Sequence, residues 1–342
     1  MATPTTTIRI GTRRSALALK QTDLVIAALQ RAHPHVRCEV HATATMGDRD
    51  KTTPLPELGK GLWTNELEAQ LIERKVDVIV HSLKDVPTTL PEGCILGAVT
   101  AREDPRDVVI FSKVHGDKYS KLVDLPEGAV VGTSSVRRAA QLRRSYPGLV
   151  FRDVRGNIET RLKKCDEEGY DAIILAAAGL LRLDFGGRIA QYLDSTTEGG
   201  GLLHAVGQGA LGLEIRADDE QLKELLGAVK DTPTMTACFA ERSVMRTLEG
   251  GCSVPIGVET AWVEEEEDGE KKKKLQLRVV VVSLDGKRAV DGESTLEVAT
   301  LEEAEAAGTK LAQRLAGLGA QQILDDINKG RDSGAALKVG DV

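Results

Sequence analysis

Positively charged side chains stand beside Ser, Thr and Gly where this sequence is expected to pass from a strand into a helix. The fullest example is Gly132-Thr133-Ser134-Ser135-Val136-Arg137-Arg138. This run supplies hydroxyls, the free N–H groups of a helix start and two guanidinium groups, all of which bind carboxylate or phosphate. Taken alone, the run fits equally well a Ser N-cap followed by two surface arginines.

Similar turns recur along the chain, and their recurrence favours an anion-binding site over chance surface charge. They place cations near glycines or hydroxyls, at Arg13 and Ser15, Lys60, Arg155 and Gly156, Arg161, and Arg182. Ligands of open parallel sheets bind outside the carboxyl ends of the strands. We therefore expect these groups to line a single cleft.

A carboxylate also stands among these cations. The segment His81–Thr88 follows the apolar strand Val76–Val80, which places Lys84 and Asp85 at the end of the sheet. Holding anions needs no carboxylate, so Asp85 indicates a substrate that offers a hydrogen-bond donor or develops positive charge. An exposed ion pair with Lys84 is the alternative. His81 is interpreted as structural, because no second His lies at metal-ligand spacing, and no metal site is expected.

The thiol of Cys252 follows Gly250-Gly251, between a predicted helix and a predicted strand. The two glycines allow a sharp turn, and a loop thiol suits a covalent attachment point or a nucleophile. A plain Gly-Gly turn with an unimportant Cys is the alternative. The remaining cysteines fall in strand or helix patterns and are interpreted as packing residues; they are Cys38, Cys94, Cys165 and Cys238.

Composition limits the class of protein. The chain has 342 residues, of which 41% are apolar, enough for two or three domains. With 45 Lys plus Arg against 52 Asp plus Glu, the net charge is −7, which argues against nucleic acid as a partner. No apolar stretch approaches the ~20 residues that span a bilayer, and the first residues lack the features of a signal peptide. We expect a cytoplasmic protein with no membrane association.

The elements that must position these groups follow a repeated strand-and-helix pattern. The order β-α-β-α-β runs from Ile8 to Val80 and returns from Ala129 to Ala176, which predicts two α/β domains. Beyond Pro233, a helix, three strands (254–263, 275–284 and 294–298) and a long Ala-rich helix predict a smaller α+β domain. The predicted boundaries are 1–104 with 210–230 for the first domain, 105–209 for the second and 231–342 for the third.

The segment Glu264–Lys274 contains no apolar residue. It begins with five acidic residues and ends with four lysines, and it lies between two predicted strands. Blocks of like charge repel one another and stay hydrated. The segment is therefore interpreted as the solvated tip of a hairpin with no role in the site.

Together, these motifs resemble those of the porphobilinogen deaminase family, also called hydroxymethylbilane synthases, from about Ile8 to Leu324. Seven segments carry the resemblance by their order and spacing: Gly11–Ser15, Lys60–Trp63, His81–Thr88, Gly132–Arg138, Arg155–Asn157, Ala205–Ala210 and Gly250–Cys252. The resemblance implies two α/β domains similar to type II periplasmic binding proteins and a small α+β C-terminal domain. It also implies a monomer that carries a dipyrromethane cofactor in thioether linkage to Cys252, with no metal or nucleotide.

The resemblance further implies the reaction and the residues that serve it. Four porphobilinogen molecules are joined head to tail with loss of ammonia, giving the linear tetrapyrrole hydroxymethylbilane. Each pyrrole carries acetate and propionate groups, so a growing chain needs many cationic partners. The residues implied in cofactor binding are Lys84, Asp85, Thr133, Ser134, Ser135, Arg137, Arg138, Arg155, Gly156 and Cys252. Those implied in substrate binding are Arg13, Ser15, Lys60, Arg161, Arg182 and Gln208.

Asp85 and Lys84 are the implied catalytic pair. Asp85 can accept a hydrogen bond from the pyrrole N–H and stabilise the cationic azafulvene that forms as ammonia leaves. The neighbouring Lys84 favours the charged carboxylate and so opposes a general-acid role. We therefore assign charge stabilisation to Asp85 first and proton transfer second.

Two residues depart from the common family pattern, and two other classes of function stay open. Asn65 stands where many relatives have Lys, which leaves one cleft contact in doubt, and His204 stands where some have Pro. A two-lobed protein that binds an anion without chemistry would need neither Asp85 nor Cys252. A thiol enzyme would need one of the six histidines to act as a base for Cys252.

Overall fold

A computed structural model describes residues 6–49, 61–248, 254–267 and 270–332 of the chain. Its helices are α1 (Ala16–Ala32), α2 (Met46–Arg49), α3 (Asn65–Ile72), α4 (Val136–Ser145), α5 (Ile158–Glu167), α6 (Ala177–Arg182), α7 (Glu220–Gly227), α8 (Thr232–Thr247), α9 (Leu301–Leu315) and α10 (Gln321–Asp332). Its strands are β1 (Thr6–Arg13), β2 (Val36–Thr43), β3 (Val78–Ser82), β4 (Cys94–Val99), β5 (Asp107–Phe111), β6 (Val130–Gly132), β7 (Val150–Arg152), β8 (Ala172–Ala176), β9 (Gln191–Leu193), β10 (Leu211–Arg216), β11 (Ile256–Glu267), β12 (Glu270–Val282) and β13 (Ala289–Leu296).

The first sheet has five strands in the order β2-β1-β3-β10-β4. Strand β1 is parallel to β2 and β3, whereas β10 is antiparallel to β3 and β4. Inner strands carry fully buried apolar residues such as Ile10 and Ile79, as expected for a sheet covered by helices. Strand β10 belongs to this sheet although it follows the second sheet in the chain.

The second sheet repeats this plan in the order β7-β6-β8-β5-β9. Strand β6 is parallel to β7 and β8, whereas β5 is antiparallel to β8 and β9. In each sheet, the fourth strand in this order is antiparallel to its neighbours and is the first strand formed after the chain crosses over from the other sheet; these strands are β10 and β5. Residues 100–106 form the first crossover segment and residues 194–210 form the second.

The third sheet is antiparallel, in the order β11-β12-β13. Helices α8 and α9 pack against each other. Their apolar residues share one core with the sheet, including Val244, Val258, Val279 and Leu311. The fold class predicted from the sequence, two α/β domains followed by a small α+β domain, is confirmed.

The charged segment 264–274 is more regular than predicted. Strand β11 extends to Glu267 and β12 begins at Glu270, so most of this segment is paired strand. Opposite charges face each other across the pair, with Lys274 Nζ 3.0 Å from a carboxylate oxygen of Glu265. Such pairing lets a charged sequence form a ribbon. Residues 268 and 269 lie outside the described residues.

Strands β5, β9 and β13 also differ from the prediction. The pattern did not predict β5 or β9, and it placed β13 at Ser294–Val298 instead of Ala289–Leu296. Strand β9 has only three residues, and β13 is an edge strand with no buried residue. Neither has the apolar alternation that identifies a strand. Within the described part of the chain, no helix is long and apolar enough to cross a membrane.

Candidate functional site

The turn that carries Lys84 and Asp85 is fixed at the carboxyl end of β3. Residues Leu83–Asp85 form a 3-10 turn. The side chain of Leu83 is 1% exposed, and its N–H donates to the Ala210 carbonyl at 3.0 Å. Burial of Leu83 therefore sets the backbone on which the lysine and the carboxylate stand.

Arg13 reaches this turn from the neighbouring strand. Because β1 and β3 are parallel neighbours, their carboxyl ends meet. Arg13 Nη1 lies 3.9 Å from Asp85 Oδ2, and both side chains are partly exposed. The Arg13 guanidinium also stacks on Trp63, with Cζ 4.0 Å from the ring centroid. A single aromatic residue such as Trp63 carries no spacing signal that would identify it as a site residue from the sequence.

The second domain contributes two buried arginines that share one carboxylate. Arg137 and Arg138 lie in the first turn of α4, which Ser135 caps by accepting from the Arg138 N–H. Arg137 Nη2 is 2.8 Å from Asp107 Oδ2, and Arg138 Nη2 is 2.7 Å from Asp107 Oδ1. Burial alone would raise the pKa of Asp107, but the two guanidinium groups outweigh it and hold that pKa far below its usual range. We call these three residues, Asp107, Arg137 and Arg138, the arginine–aspartate cluster.

Gln208 connects the arginine–aspartate cluster to Lys84. It lies in the second crossover segment and is 1% exposed. Its Nε2 donates to Asp107 Oδ1 at 2.9 Å and to the Pro105 carbonyl at 2.7 Å. Its Oε1 accepts from Lys84 Nζ at 3.4 Å. The Gln208 side-chain amide therefore joins the Lys84–Asp85 turn of the first domain to the arginine–aspartate cluster of the second. A substrate that binds Gln208 would have to replace Lys84, Asp107 or the Pro105 carbonyl as its partner.

Positive charge outweighs negative charge where the two domains meet. Burial, together with the charge of Arg138, lowers the pKa of Lys84 to about 8. Burial, with the charges of Arg138 and Arg155, lowers the pKa of Arg161 to about 10. Cationic groups behave in this way when the environment disfavours their charged form. The carboxylates of a bound ligand would favour the charged forms of Lys84 and Arg161 and so act to raise both pKa values.

The turn at Arg155–Asn157 places Arg161 at this junction. Gly156 has a φ of +119°, which favours glycine, and a Cβ at that position would lie 2.8 Å from Thr160 Cγ2. The Gly156 carbonyl accepts from Arg161 Nε at 2.8 Å. The charge of Asp85 acts on Arg161 from the first domain. The motif therefore orients a guanidinium group toward the same junction.

The hydroxyl groups of the motifs serve the local fold. Ser15 caps α1 by accepting a backbone N–H. Ser134 Oγ donates to the Val154 carbonyl at 2.9 Å and accepts from the Val154 N–H at 3.2 Å. Thr133 is 1% exposed, and its Oγ1 accepts from the Ser135 N–H at 3.2 Å. These hydroxyls shape helix starts whose backbone N–H groups favour anions.

The other predicted site residues lie at the second crossover segment or outside the described residues. Arg182 is buried, and its Nη2 donates to the Gly209 carbonyl at 2.7 Å. Burial lowers the pKa of Arg182, and Glu103 opposes that effect. Lys60 and Cys252 lie outside the described residues.

His81 and the described cysteines have the surroundings of structural residues. His81 is buried, with Nε2 2.9 Å from Glu214 Oε2. Three of the cysteines are buried and one is half-buried; they are Cys94, Cys165, Cys238 and, half-buried, Cys38. In the part of the chain that the structure describes, no group of three or more His, Cys, Asp or Glu side chains is arranged to hold a metal ion.

Comparison with known proteins decides the family. The family described as "Porphobilinogen deaminase, dipyromethane cofactor binding domain" matches residues 8–224. A second family, "Porphobilinogen deaminase, C-terminal domain", matches residues 235–317. The chain belongs to the porphobilinogen deaminase family.

Curated porphobilinogen deaminases cover nearly the whole chain. That of Neurospora crassa is 67% identical over 338 residues, 98% of this chain and 98% of the relative. That of Yarrowia lipolytica is 51% identical over 327 residues, 93% of each chain. That of Synechococcus sp. (strain CC9605) is 49% identical over 323 residues, 94% of this chain and 96% of the relative. The resemblance inferred from the motifs is confirmed.

A solved methionine-binding protein aligns with this porphobilinogen deaminase family member at a TM-score of 0.38 and 11% identity. The alignment covers 67% of this chain and 91% of the solved one. A score this low supports no conclusion about fold or ligand.

The residues at the junction fit the dipyrromethane named in the family description. The acetate and propionate groups of a pyrrole are anions, and guanidinium groups bind carboxylates in short, charge-assisted hydrogen bonds. Burial and the repulsion of neighbouring arginines lower the pKa values of Lys84 and Arg161, and carboxylates placed beside these groups would favour their charged forms. Asp85, which is partly exposed beside Arg13, is suited to accept a hydrogen bond from a pyrrole N–H.

Proposed function

We propose that this protein condenses four molecules of porphobilinogen head to tail, releasing ammonia, and forms the linear tetrapyrrole hydroxymethylbilane. The observation that carries the proposal is one partly exposed carboxylate, Asp85, among an excess of cations drawn from both α/β domains. A protein that only binds anions gains nothing from that carboxylate. A substrate that becomes cationic during the reaction is stabilised by it.

We propose two groups of binding residues around Asp85. The dipyrromethane is bound by Lys84, Asp85, Thr133, Ser134, Ser135, Arg137, Arg138, Arg155, Gly156 and Cys252. The substrate is bound by Arg13, Ser15, Lys60, Arg161, Arg182 and Gln208. The convergence of Lys84, Arg137, Arg138 and Arg161 on one junction supports this assignment. The hydroxyls contribute through the helix starts they cap, where backbone N–H groups are available to anions.

In each condensation, a C–N bond of porphobilinogen breaks and ammonia leaves with the electron pair. The methylene carbon of that substrate becomes part of an azafulvenium cation, whose charge extends to the pyrrole nitrogen. Asp85 accepts the hydrogen bond from that N–H and stabilises the cation. When bound, dipyrromethane would supply the unsubstituted pyrrole carbon to which the first substrate unit is joined. The proton that this carbon loses balances the ammonia released, which leaves as ammonium, and water supplies the hydroxyl group of the final product.

Domain organisation, oligomeric state and compartment are part of the same proposal. The proposed domains are 1–104 with 210–230, 105–209 and 231–342. The return of β10 to the first sheet supports a first domain made of two segments. We propose that the protein acts as a cytoplasmic monomer. The thiols of Cys38, Cys94, Cys165 and Cys238 are free, which is usual in a reducing compartment.

The intact mass of the purified protein tests the function before any turnover is measured. The parent should carry the excess mass of two linked pyrroles and give the pink colour of dipyrromethane with acidic aldehyde reagent. Cys252→Ala should lose both signals. Cys238→Ala is the matched control, because Cys238 is fully buried on α8 and has no part in attachment. Absence of excess mass in the parent, or its location on a peptide containing Cys238 or Cys165, would overturn the proposal.

A further inference from the structure

A buried arginine of the third domain contacts the turn that carries the catalytic carboxylate. Arg242 lies on α8 and is 5% exposed. Its Nη1 donates to the Val86 carbonyl at 3.1 Å, and its Nη2 donates to the Pro87 carbonyl at 2.6 Å. These two carbonyls directly follow Asp85 in the chain. One planar guanidinium group therefore fixes two consecutive peptide units next to the carboxylate.

The same face of α8 holds the start of the turn. Met235 and Cys238 are buried in one apolar cluster with Leu83, the first residue of the 3-10 turn. Met235, Cys238 and Arg242 are spaced by three and four residues, so they lie along one side of the helix. Helix α8 thus contacts the turn on both sides of Asp85, through apolar packing before it and hydrogen bonds after it.

Helix α8 also leads toward the attachment residue. It ends at Thr247, and Leu248 is buried in the core of the third domain. Cys252 follows four residues later in the chain. Helix α8, whose last turns are packed in the core of the third domain, therefore connects the Asp85 turn to the start of the segment that contains Cys252.

We propose that Arg242 is a positioning residue for the condensation, which holds the Lys84–Asp85 turn in a fixed place relative to the third domain. This inference rests on the proposed role of Asp85. Charge stabilisation depends steeply on where the carboxylate stands, and a displacement of about 1 Å can cost ~100-fold in rate. The carbonyls that Arg242 binds belong to Val86 and Pro87, neither of which is proposed to bind substrate carboxylates, so the expected effect of Arg242 is on kcat rather than on KM.

Arg242→Met tests this role, because Met keeps an unbranched, flexible stem that can stay buried and removes both hydrogen bonds. We expect kcat to fall by about 10- to 100-fold, KM to stay within about two-fold of the parent, and the excess mass of the cofactor to remain. Amide hydrogen exchange in a peptide covering residues 83–88 should become faster, because the turn loses its anchor. Arg242→Lys keeps one donor group and should give a kcat between those of the parent and Arg242→Met.

Arg246→Met is the matched control. Arg246 lies one turn further along α8 and pairs with Glu305 at 2.7 Å on the surface. This variant should keep both the parent kcat and the parent exchange rate in residues 83–88. An equal loss of kcat in Arg246→Met would overturn the inference, because any change to α8 would then lower kcat, whether or not it removed the hydrogen bonds of Arg242.

Two further results would overturn the inference. One is a parent-like kcat in Arg242→Met, and the other is a lower kcat with unchanged exchange in residues 83–88. If Arg242→Met does not fold, Arg242→Lys decides by the same two readouts. Asp85→Asn is measured alongside. Loss of turnover in Asp85→Asn with parent behaviour in the Arg242 variants refutes only the positioning role, whereas parent turnover in Asp85→Asn refutes the proposed role of Asp85 itself.

Discussion

Asp107→Asn tests whether the excess of buried positive charge is what the cofactor neutralises. Asp107 is fully buried and lies within 2.8 Å of both Arg137 and Arg138. The amide keeps the volume of the side chain and removes its negative charge, so two buried guanidinium groups are left beside each other. Removing one member of a buried charge group costs about 3–5 kcal/mol.

The bound cofactor should change the size of this loss. In the Cys252→Ala background, which lacks the attachment residue, nothing replaces the missing carboxylate of Asp107. At about 2 °C per kcal/mol for a large domain, Tm should fall by about 6–10 °C. If dipyrromethane binds Arg137 and Arg138 as proposed, its carboxylates replace part of the missing negative charge, and Tm should fall by clearly less.

The assay compares Tm in four proteins, the parent and Asp107→Asn, each with and without Cys252. Intact mass confirms which of them carry cofactor. Asp291→Asn serves as the control, because Asp291 forms an exposed pair with Arg144 at 2.8 Å, and exposed pairs contribute at most about 1 kcal/mol. Equal Tm losses with and without cofactor would refute the reasoning. A loss below 2 °C in the Cys252→Ala background would refute it as well.

The same variant has a predicted pH dependence. The pKa of Asp107 in the folded protein lies below the value of about 3.9 in an unfolded chain. Its contribution to stability is therefore fully present above about pH 4 and is lost as pH falls toward the lower, folded value. Between pH 6 and pH 3, the stability gap between the parent and Asp107→Asn should narrow in urea unfolding measurements. A gap that widens on acidification would contradict the assigned pKa shift.

Two further predictions concern the catalytic carboxylate and the charged ribbon. Asp85→Asn should fold, keep its cofactor and lose turnover by about 100-fold, whereas Asp85→Glu should retain more activity. Single-turnover kinetics with porphobilinogen measures both variants. A near-parent rate in Asp85→Asn would mean that another residue supplies the catalytic carboxylate. Deleting residues 268–273 shortens the ribbon and removes exposed charge pairs such as that of Lys271 with Glu264, each of which contributes at most about 1 kcal/mol, so Tm should fall by no more than a few degrees and activity should be unaltered. A Tm loss of more than a few degrees would show that the ribbon packs on another part of the molecule.

Motifs at helix starts could be predicted because their interactions are local. Ser15, Ser135 and Asn157 each cap the helix that follows them, and each bond spans three residues. The type of the capping residue and its place before an apolar pattern are enough to identify such a site. The cations beside these caps were identified for the same reason.

Asp107 could not be predicted as a partner of those cations. It is 31 residues from Arg138 in the chain, and the two meet only because β5 pairs with β8 in the assembled sheet. Gln208 joins Lys84 across an even longer separation, 124 residues. No periodicity in a single sequence encodes contacts of that range. The third domain's contribution through Arg242 escaped prediction for the same reason, since it lies 155 residues from Pro87.

The hydroxyls and the cations of one motif make different kinds of contact in the structure. A hydroxyl has few options within a turn, and Ser134 meets both its donor and its acceptor needs at Val154. A guanidinium group has five donors in a fixed fork, so Arg138 can bond Asp107 and the Ile174 carbonyl and still have N–H groups for a ligand. The hydroxyls of the turn therefore already have hydrogen-bond partners within the protein, whereas the guanidinium groups keep donors for a ligand. Ligand carboxylates should depend on the arginines and on the backbone N–H groups that the capped helices expose.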